Sequence, residues 1–247
     1  MAATDIITVE HLVAGYPGVR VLEDVNFSVA KGEVFALLGG SGCGKSTMMK
    51  HLIGLNPAPA GKITVDGLEM NAANREKILH RIGVMYQSGA LFGSMSVLEN
   101  VMLPLEEFTR LPAAARRTLA RMQLELVGLR DAADKMPSDL SGGMKKRAAI
   151  ARAMVLEPAI LFLDEPSAGL DPVTSSALDE LILRLRDTRG MTFVVVTHEL
   201  PSIFKIADRC AMFDRARHAM VALGRPAELR DGSADPFVRR FFNRGRN

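Results

Sequence analysis

The residues best suited to chemistry lie at positions 39–47, where the chain matches the phosphate-binding pattern G-x-x-x-x-G-K-[ST]. They are Gly39, Gly40, Ser41, Gly42, Cys43, Gly44, Lys45, Ser46 and Thr47. In such a loop, glycines let backbone N–H groups turn towards phosphate oxygens, and the helix that follows adds positive potential. We expect Lys45 to reach the β- and γ-phosphates and the Ser46 hydroxyl to hold Mg²⁺. The sequence therefore predicts a site for a nucleoside triphosphate.

A second cluster of chemical groups follows an apolar run at residues 161–163. A buried strand that ends in Asp164 and Glu165 would place two carboxylates at the edge of a sheet. Asp164 suits the shell of a metal ion beside the phosphates. Glu165, one residue later, is suited to polarise an attacking water as a general base. Together with the phosphate loop, this pair predicts hydrolysis of the bound nucleotide.

The elements that must position these residues are those of an α/β protein. An apolar run at 33–38 predicts a buried strand before the loop, and 46–53 reads as the helix after it. Short β-prone runs between residues 5 and 38 predict an antiparallel layer, and later strands alternate with helices, which implies a parallel sheet. From Ser96 to about Lys135 the pattern is helical, with Pro104 and Pro112 expected to break it. We expect a P-loop NTPase core with a mixed or parallel sheet, an N-terminal antiparallel β layer and a helical subdomain.

A second candidate anion site begins at Ser141, which is a plausible N-cap for an amphipathic helix. Gly142 and Gly143 leave the backbone N–H groups of that helix approachable by an anion. Taken alone, the segment also fits an ordinary capped helix. Its presence in a chain that already has a phosphate loop favours a second phosphate contact.

The order of these motifs resembles the nucleotide-binding domain of ABC transporters over nearly the whole chain. The series comprises 39–47, Gln87, the LSGG segment at 140–143, the strand and carboxylates at 160–165, the SAGLDP segment at 167–172, and His198. The resemblance implies one ABC ATPase domain over 1–247, with a helical subdomain at about 88–140 and a C-terminal extension at about 225–247. It also implies a head-to-tail homodimer, in which each ATP lies between one chain's phosphate loop and the other chain's Ser141–Gly143.

Individual roles follow from the same resemblance. It implies that Tyr16 stacks on adenine and that Gln87 links Mg²⁺ to the transport interface. Asp171 would lie across the dimer in the D-loop, and His198 would contact the γ-phosphate. Glu165 would be the catalytic base, beside Asp164 and Ser46 as metal ligands.

Two further segments are similar to the ATPases of MCE-type (Mla-like) phospholipid transporters. They are residues 88–105, after Gln87, and the terminal run 235–242. Met144, where the family usually has glutamine, fits such a subfamily, and ATP binding should survive because Ser141 and backbone N–H groups make the phosphate contacts. The resemblance implies phospholipid transport between inner and outer membranes, an integral membrane permease, a periplasmic MCE protein and a small STAS-domain protein. The chain would lie on the cytoplasmic face of the inner membrane.

The charge distribution and the hydropathy of the chain bear on which other functions remain possible. The segment 225–247 has six arginines against three acidic residues, which accounts for the whole net charge of +3. Because the rest of the chain is neutral, no basic face for nucleic acid is expected. No apolar stretch reaches the roughly 18 residues of a membrane span. An ABC ATPase for another transported substrate, a soluble ABC ATPase acting on nucleic acid or ribosomes, and a P-loop kinase remain as alternatives, although a kinase would need neither LSGG nor a general base for water.

Two smaller features have two interpretations each. Cys43 is either a small filler residue, which we favour, or a thiol whose alkylation blocks nucleotide entry. Phe237, Phe241 and Phe242 share one helical face beside arginines. That face packs either on a neighbouring subunit or on the chain's own fold.

Overall fold

A computed structural model describes residues 4–243, and its first layer is an antiparallel sheet of four strands. These are β1 (Asp5–Tyr16), β2 (Val19–Ala30), β4 (Ala60–Val65) and β5 (Leu68–Glu69), in the order β2-β1-β4-β5. On β1, Ile7, Val9 and Leu12 are buried, whereas Glu10 and His11 are exposed. One face of this sheet therefore covers the core, as is common for antiparallel sheets.

The second sheet has six strands, and it carries the functional segments. These strands are β3 (Val34–Gly39), β6 (Ile82–Met85), β7 (Ile160–Asp164), β8 (Thr192–Val196), β9 (Arg209–Asp214) and β10 (Ala219–Gly224), in the order β10-β9-β3-β8-β7-β6. All neighbours are parallel except β10, which pairs antiparallel with β9. Phe27 of the first sheet stacks on Phe35 of the second, with ring centroids 5.2 Å apart. The predicted α/β fold with a mixed sheet and an antiparallel layer is confirmed.

Nine α-helices connect or cover the strands in the described part of the chain. They are α1 (Lys45–Leu52), α2 (Arg75–Leu79), α3 (Val97–Phe108), α4 (Ala113–Leu126), α5 (Gly142–Met154), α6 (Pro172–Arg189), α7 (Leu200–Ile206), α8 (Pro226–Gly232) and α9 (Pro236–Phe242). Short 3₁₀ turns lie at Arg130–Ala132 and Pro137–Asp139. Among residues 4–243, no helix is both long and apolar enough to span a bilayer.

Helix α3 differs from the sequence expectation because it continues through Pro104. It begins at an N-cap, Ser96, whose hydroxyl accepts from Glu99 N while the Glu99 carboxylate accepts from Ser96 N. Val101 and Leu105, on either side of the proline, are buried against α4 and α5. A proline inside a helix costs about 3 kcal/mol. Burial of each large aliphatic side chain returns about 1.5–3 kcal/mol, so packing outweighs the lost hydrogen bond.

The C-terminal helix α9 packs on its own chain. Phe241 and Phe242 are buried in a cluster with Leu38 of β3 and Met212 of β9, and Phe237 packs at its edge. Asp235 caps α9 by accepting from Phe237 N at 2.8 Å. The aromatic face is therefore part of the fold's core, and only the interpretation in which it packs on its own chain is supported.

Candidate nucleotide-binding and catalytic site

The site lies at the edge of the second sheet where four parallel strands end. The phosphate loop follows β3, Glu165 follows β7, His198 comes two residues after β8, and Gln87 comes two residues after β6. The pairing of β3 with β8, β8 with β7 and β7 with β6 sets their carboxyl ends side by side. Ligands of open α/β sheets bind at this edge. The topology therefore gathers residues that are far apart in the sequence.

The phosphate loop has a positive φ, which glycine adopts more easily than other residues, at Gly39, Gly42 and Gly44. Gly39 has a φ of 144°, and a Cβ there would collide with Cys43 Sγ and the Phe213 carbonyl. Gly44, directly before α1, has a φ of 106°. Lys45 Nζ donates to the carbonyls of Gly39 at 2.9 Å and Gly40 at 3.0 Å, so the ammonium lies over the loop. The Lys45 ammonium and the unpaired N–H groups at the start of α1 therefore lie together, where they can bind an anion.

Cys43 is buried within this loop and is only 2% exposed. Burial raises the pKa of its thiol, and the nearby Lys45 ammonium opposes the shift only in part. A buried thiol of raised pKa is a poor nucleophile. Its placement supports the role of a small filler residue.

The two carboxylates after β7 have different surroundings. The pKa of Asp164 is raised, first by burial and then by the neighbouring Glu165, while Lys146, Lys45 and Lys50 oppose the shift. The Glu165 side chain is only 12% exposed. Its Oε2 is buried and accepts no hydrogen bond from the described protein groups. A buried acceptor with no partner is unusual, and here it gives the carboxylate one free oxygen at the edge of the sheet.

The other oxygen of this carboxylate is held by His198. His198 Nδ1 lies 2.8 Å from Glu165 Oε1. Because a carboxylate only accepts hydrogen bonds, Nδ1 carries the proton. His198 Nε2 lies 3.7 Å from Glu199 Oε1, and the imidazole is more than half exposed. The histidine therefore orients the carboxylate and keeps its outer nitrogen accessible.

The second candidate anion site is not joined to the first within one chain. Ser141 caps α5, and its hydroxyl accepts from Met144 N at 3.3 Å. Gly143 faces Thr174 at the start of α6, where a Cβ would collide. Among residues 4–243, no hydrogen bond or ion pair links Ser141–Gly143 to Gly39–Thr47. The Ser141 and Gly142 end of the helix is exposed.

The Asp171 carboxylate is also hydrogen-bonded within its own chain. One of its oxygens accepts from Val173 N and Thr174 N, each at 3.0 Å, and the other accepts from Thr174 Oγ1 at 2.5 Å. The Thr174 hydroxyl is the main cause that lowers the pKa of this carboxyl. Asp171 is therefore the N-cap of α6, and its role across a dimer stays a prediction.

Tyr16 ends β1 beside α1. Its pKa is lowered by hydrogen bonds, first from Thr47 and then from Lys50, whose Nζ lies 3.5 Å from the phenol oxygen. The ring is 40% exposed, so one face is available to a base. Its neighbour Gly15 donates its N–H to His51 Nε2 at 3.0 Å.

Sequence reasoning missed His51, which is fully buried on α1. Because Nε2 accepts from Gly15, Nδ1 carries the proton and donates to the Asn56 carbonyl at 3.0 Å. The imidazole thus ties the end of β1 to the C-terminal end of α1 and to the loop that follows it. A signal was present, because residue 51 falls among the buried Met48 and Leu52 on the inner face of α1.

We expect His51→Leu to lower the free energy of unfolding by about 2–5 kcal/mol, since it leaves the buried Gly15 N–H and the half-buried Asn56 carbonyl without their partner. His80→Leu, at an exposed position after α2, is the control and should change it by about 0.5 kcal/mol or less. Urea titration followed by circular dichroism measures both. Equal stabilities of the two variants would contradict a structural role for His51.

Gln87 and Lys146 meet behind the carboxylates. The Gln87 side chain is exposed, and its backbone carbonyl accepts a hydrogen bond from Lys146 Nζ. Lys146 also donates to the Glu165 carbonyl at 3.0 Å. Sequence reasoning gave Lys146 no role, although it lies three and four residues before the buried Ala149 and Ile150 on α5.

The donors at this edge fit Mg²⁺. The Ser46 hydroxyl, the Asp164 carboxylate and the Gln87 amide offer hard oxygen ligands, and Asp164 is a partly buried carboxylate beside a second carboxylate, Glu165. In the described part of the chain, no cluster of three or more His, Cys, Asp or Glu could form an all-protein metal cage. Mg²⁺ in phosphate sites is commonly held by one or two carboxylates together with the phosphates. The residues present therefore fit the ion.

A nucleotide-binding loop, a paired carboxylate and histidine, and a separate LSGG helix start define an ATP-binding cassette, and the family model described as ABC transporter matches residues 22–168. The chain belongs to the ABC transporter family and is an ABC-type ATPase. It is 42% identical over 227 residues to the intermembrane phospholipid transport system ATP-binding protein MlaF of Escherichia coli K12, which covers 90% of this chain and 83% of that protein. It is 39% identical over 240 residues to the probable ribonucleotide transport ATP-binding protein mkl of Mycobacterium leprae, which covers 96% of this chain and 68% of that protein.

Solved structures of similar fold agree. CbiO1 of Clostridium perfringens, part of the ABC transporter complex cbiONQ, superposes with a TM-score of 0.84 at 30% identity, covering 98% of this chain and 95% of that one. The cassette MJ0796, in a dimeric post-hydrolysis state bound to ADP and Pi, superposes with a TM-score of 0.79 at 28% identity. The superposition covers 89% of this chain and 98% of that one. The expected α/β cassette fold is confirmed, and as an ABC-type ATPase the chain binds nucleotide.

Proposed function

We propose that this chain hydrolyses ATP at a site completed by a second copy of itself and thereby drives phospholipid transport through a membrane permease. The observation that carries the hydrolytic part is the Glu165 carboxylate, which has one oxygen fixed by His198 and the other free at the phosphate-loop edge. The phospholipid part is supported by the 42% identity to MlaF.

The two-chain site follows from the placement of the second anion site. Ser141 and Gly142 are exposed, and no hydrogen bond or ion pair within residues 4–243 joins Ser141–Gly143 to the phosphate loop, so a second chain would bring this helix start to the nucleotide. The dimeric MJ0796 cassette is a precedent in a relative. In this arrangement Asp171 lies near the interface, Ser141 donates to the γ-phosphate, and Tyr16 stacks on adenine.

Hydrolysis needs little covalent chemistry from the protein. Lys45 and the loop N–H groups hold the β- and γ-phosphates, and Ser46, Asp164 and Gln87 would hold Mg²⁺, which neutralises phosphate charge when bound. Glu165 Oε2 accepts a proton of the water that attacks the γ-phosphorus in line. The products are ADP and inorganic phosphate. With both ring nitrogens protonated, His198 would donate from Nδ1 to Glu165 and from the exposed Nε2 to the γ-phosphate.

The path to the permease starts at Gln87. The segment after it is anchored by Arg152, which donates to the carbonyls of Gly89 and Ala90, and by the buried Asn100, which bonds both backbone groups of Phe92. This anchoring presents Phe92, 51% exposed, on the surface. We propose that the helical subdomain at 88–140 offers this surface to the permease. The chain would then lie on the cytoplasmic face of the inner membrane, with a STAS-domain protein and a periplasmic MCE protein as further partners.

The mkl relative gives a second candidate substrate, a ribonucleotide.

A tagged chain purified from membranes of its own cells should bring down a polytopic permease, and ribosomes or DNA instead would contradict transport. The purified complex in liposomes should transfer a fluorescent phospholipid only with ATP. Uptake of a labelled ribonucleotide without lipid transfer would overturn the phospholipid assignment.

A further inference from the structure

Lys146 is a charged group buried where the LSGG helix meets the segments that carry Gln87 and Glu165. It lies on α5, five residues after the helix cap Ser141, and it is only 6% exposed. Its ammonium donates to two backbone carbonyls, those of Gln87 and Glu165. Lysine is almost never fully buried unless its charge is compensated. One side chain thus joins the LSGG helix to the backbone of the Gln87 segment and to the backbone of Glu165.

The backbone at Glu165 needs such support. Its φ is 47°, in the left-handed region that a residue with a Cβ rarely adopts. A conformation of this kind costs about 1–3 kcal/mol and persists only where the surroundings fix it. Three hydrogen bonds hold it here: Glu165 N donates to Val196 O at 2.8 Å, and Glu165 O accepts from Lys146 Nζ at 3.0 Å and from Ala168 N at 3.2 Å.

We propose that Lys146 is a positioning residue, which holds Glu165 in this backbone conformation and fixes the catalytic carboxylate relative to Gln87 and the LSGG helix. Without the ammonium, the Glu165 carbonyl keeps only the longer bond from Ala168 N, and its peptide can relax towards an ordinary conformation. The carboxylate would then leave the point at which it meets the attacking water. Because the same ammonium holds the Gln87 carbonyl, a shift of α5 or of the Gln87 segment moves Glu165 directly.

Burial and charge agree with this placement. Burial lowers the pKa of Lys146, while the Asp164 and Glu165 carboxylates oppose the shift by favouring its charged form. The two carboxylates therefore offset part of the cost of burying the ammonium. The side chain contacts neither the phosphate loop nor its lysine through any hydrogen bond described in residues 4–243.

The test compares Lys146→Met with Lys146→Arg and Lys146→Gln in the full chain. Methionine keeps the apolar stem and removes the donors, arginine keeps charge and donors, and glutamine keeps an uncharged donor on a shorter stem. A displacement of about 1 Å costs about 10²-fold in rate, so kcat for ATP hydrolysis should fall about 10- to 100-fold in Lys146→Met. Arginine should restore most of kcat and glutamine part of it. KM for ATP and the thermal unfolding midpoint should stay close to those of the parent.

Lys145→Met, the same change one residue earlier on α5, is the matched control and should keep the parent kcat. Two results would overturn the proposal: an unchanged kcat in Lys146→Met, or a loss of kcat that is equal in all three variants and tracks their thermal unfolding. If Lys146→Met does not fold, the other two variants decide. A higher kcat in Lys146→Arg than in Lys146→Gln supports the proposal, and an equal kcat in both overturns it.

The proposal rests on the assignment of Glu165 as general base. The variants distinguish a wrong base assignment from a wrong role for Lys146. Should Glu165→Gln retain turnover, the base assignment is wrong, whatever Lys146 does. Should Glu165→Gln be inactive while Lys146→Met turns over normally, only the role of Lys146 is wrong.

Discussion

Glu165→Gln is expected to lower the turnover of ATP by about 10²- to 10⁴-fold, the usual contribution of a positioned general base. The affinity for ATP should stay nearly unchanged, because no phosphate-binding group is altered. Glutamine has the size of glutamate, and its amide oxygen can still accept from His198 Nδ1, which lies 2.8 Å from Glu165 Oε1. The change therefore removes the proton acceptor and preserves the geometry around it. Release of inorganic phosphate and binding of a fluorescent ATP analogue measure the two quantities.

The matched control is Glu180→Gln on α6, where the carboxylate is 69% exposed and pairs with Lys205 on the surface. It should keep both turnover and affinity, since exposed ion pairs contribute little. Normal hydrolysis by Glu165→Gln would show that another group activates the water.

Lys45→Ala should have the second large effect, on ATP binding itself. Lys45 Nζ now bonds the carbonyls of Gly39 and Gly40, which places it where phosphate oxygens would be received. A hydrogen bond to a charged group is worth about 1.5–3 kcal/mol, so the loss of one should weaken ATP binding about 10- to 100-fold. Titration with a fluorescent ATP analogue measures the dissociation constant.

Lys77→Ala, on the exposed surface of α2, is the control and should bind ATP as the parent does. If Lys45→Ala bound ATP with the parent affinity and lost only turnover, Lys45 would act in the transition state alone. Its assigned role in holding the ground-state triphosphate would then be wrong.

The parts of the site that could be predicted from the sequence are those specified by local pattern. The phosphate loop needs glycine at 39 and 44 because of their positive φ, and the apolar strand before it is buried as expected. Asp164 and Glu165 follow a strand whose neighbours are fixed by the alternation of strands and helices. The residue types within each motif and the apolar runs beside it were enough to predict these features.

The contacts that join distant segments could not be predicted in the same way. Lys146 reaches carbonyls 59 and 19 residues away, and His51 receives the N–H of a residue 36 positions earlier. Such partners depend on how the sheets and helices pack, which the helical period does not give. A buried lysine or histidine on an apolar helix face was the only available signal.

Local rules were also outweighed by packing. Pro104 lies inside α3, although proline predicts a break, because buried residues on both sides hold the helix together. Asp171, assigned to the dimer by resemblance, first serves its own chain as the N-cap of α6. The short helix α7 after His198 was not predicted, since its seven residues give too little periodicity.

The central claim is that two copies of the chain enclose ATP, each completing the other's site with Ser141–Gly143. The most direct measurement is the molar mass of the Glu165→Gln chain by light scattering after size exclusion, with ATP, with ADP and without nucleotide. We predict twice the mass of one chain with ATP only, and a single-chain mass when Ser141→Arg is added to block the helix start. A single-chain mass at saturating ATP, or an ATP-dependent dimer that Ser141→Arg leaves intact, would contradict the shared site.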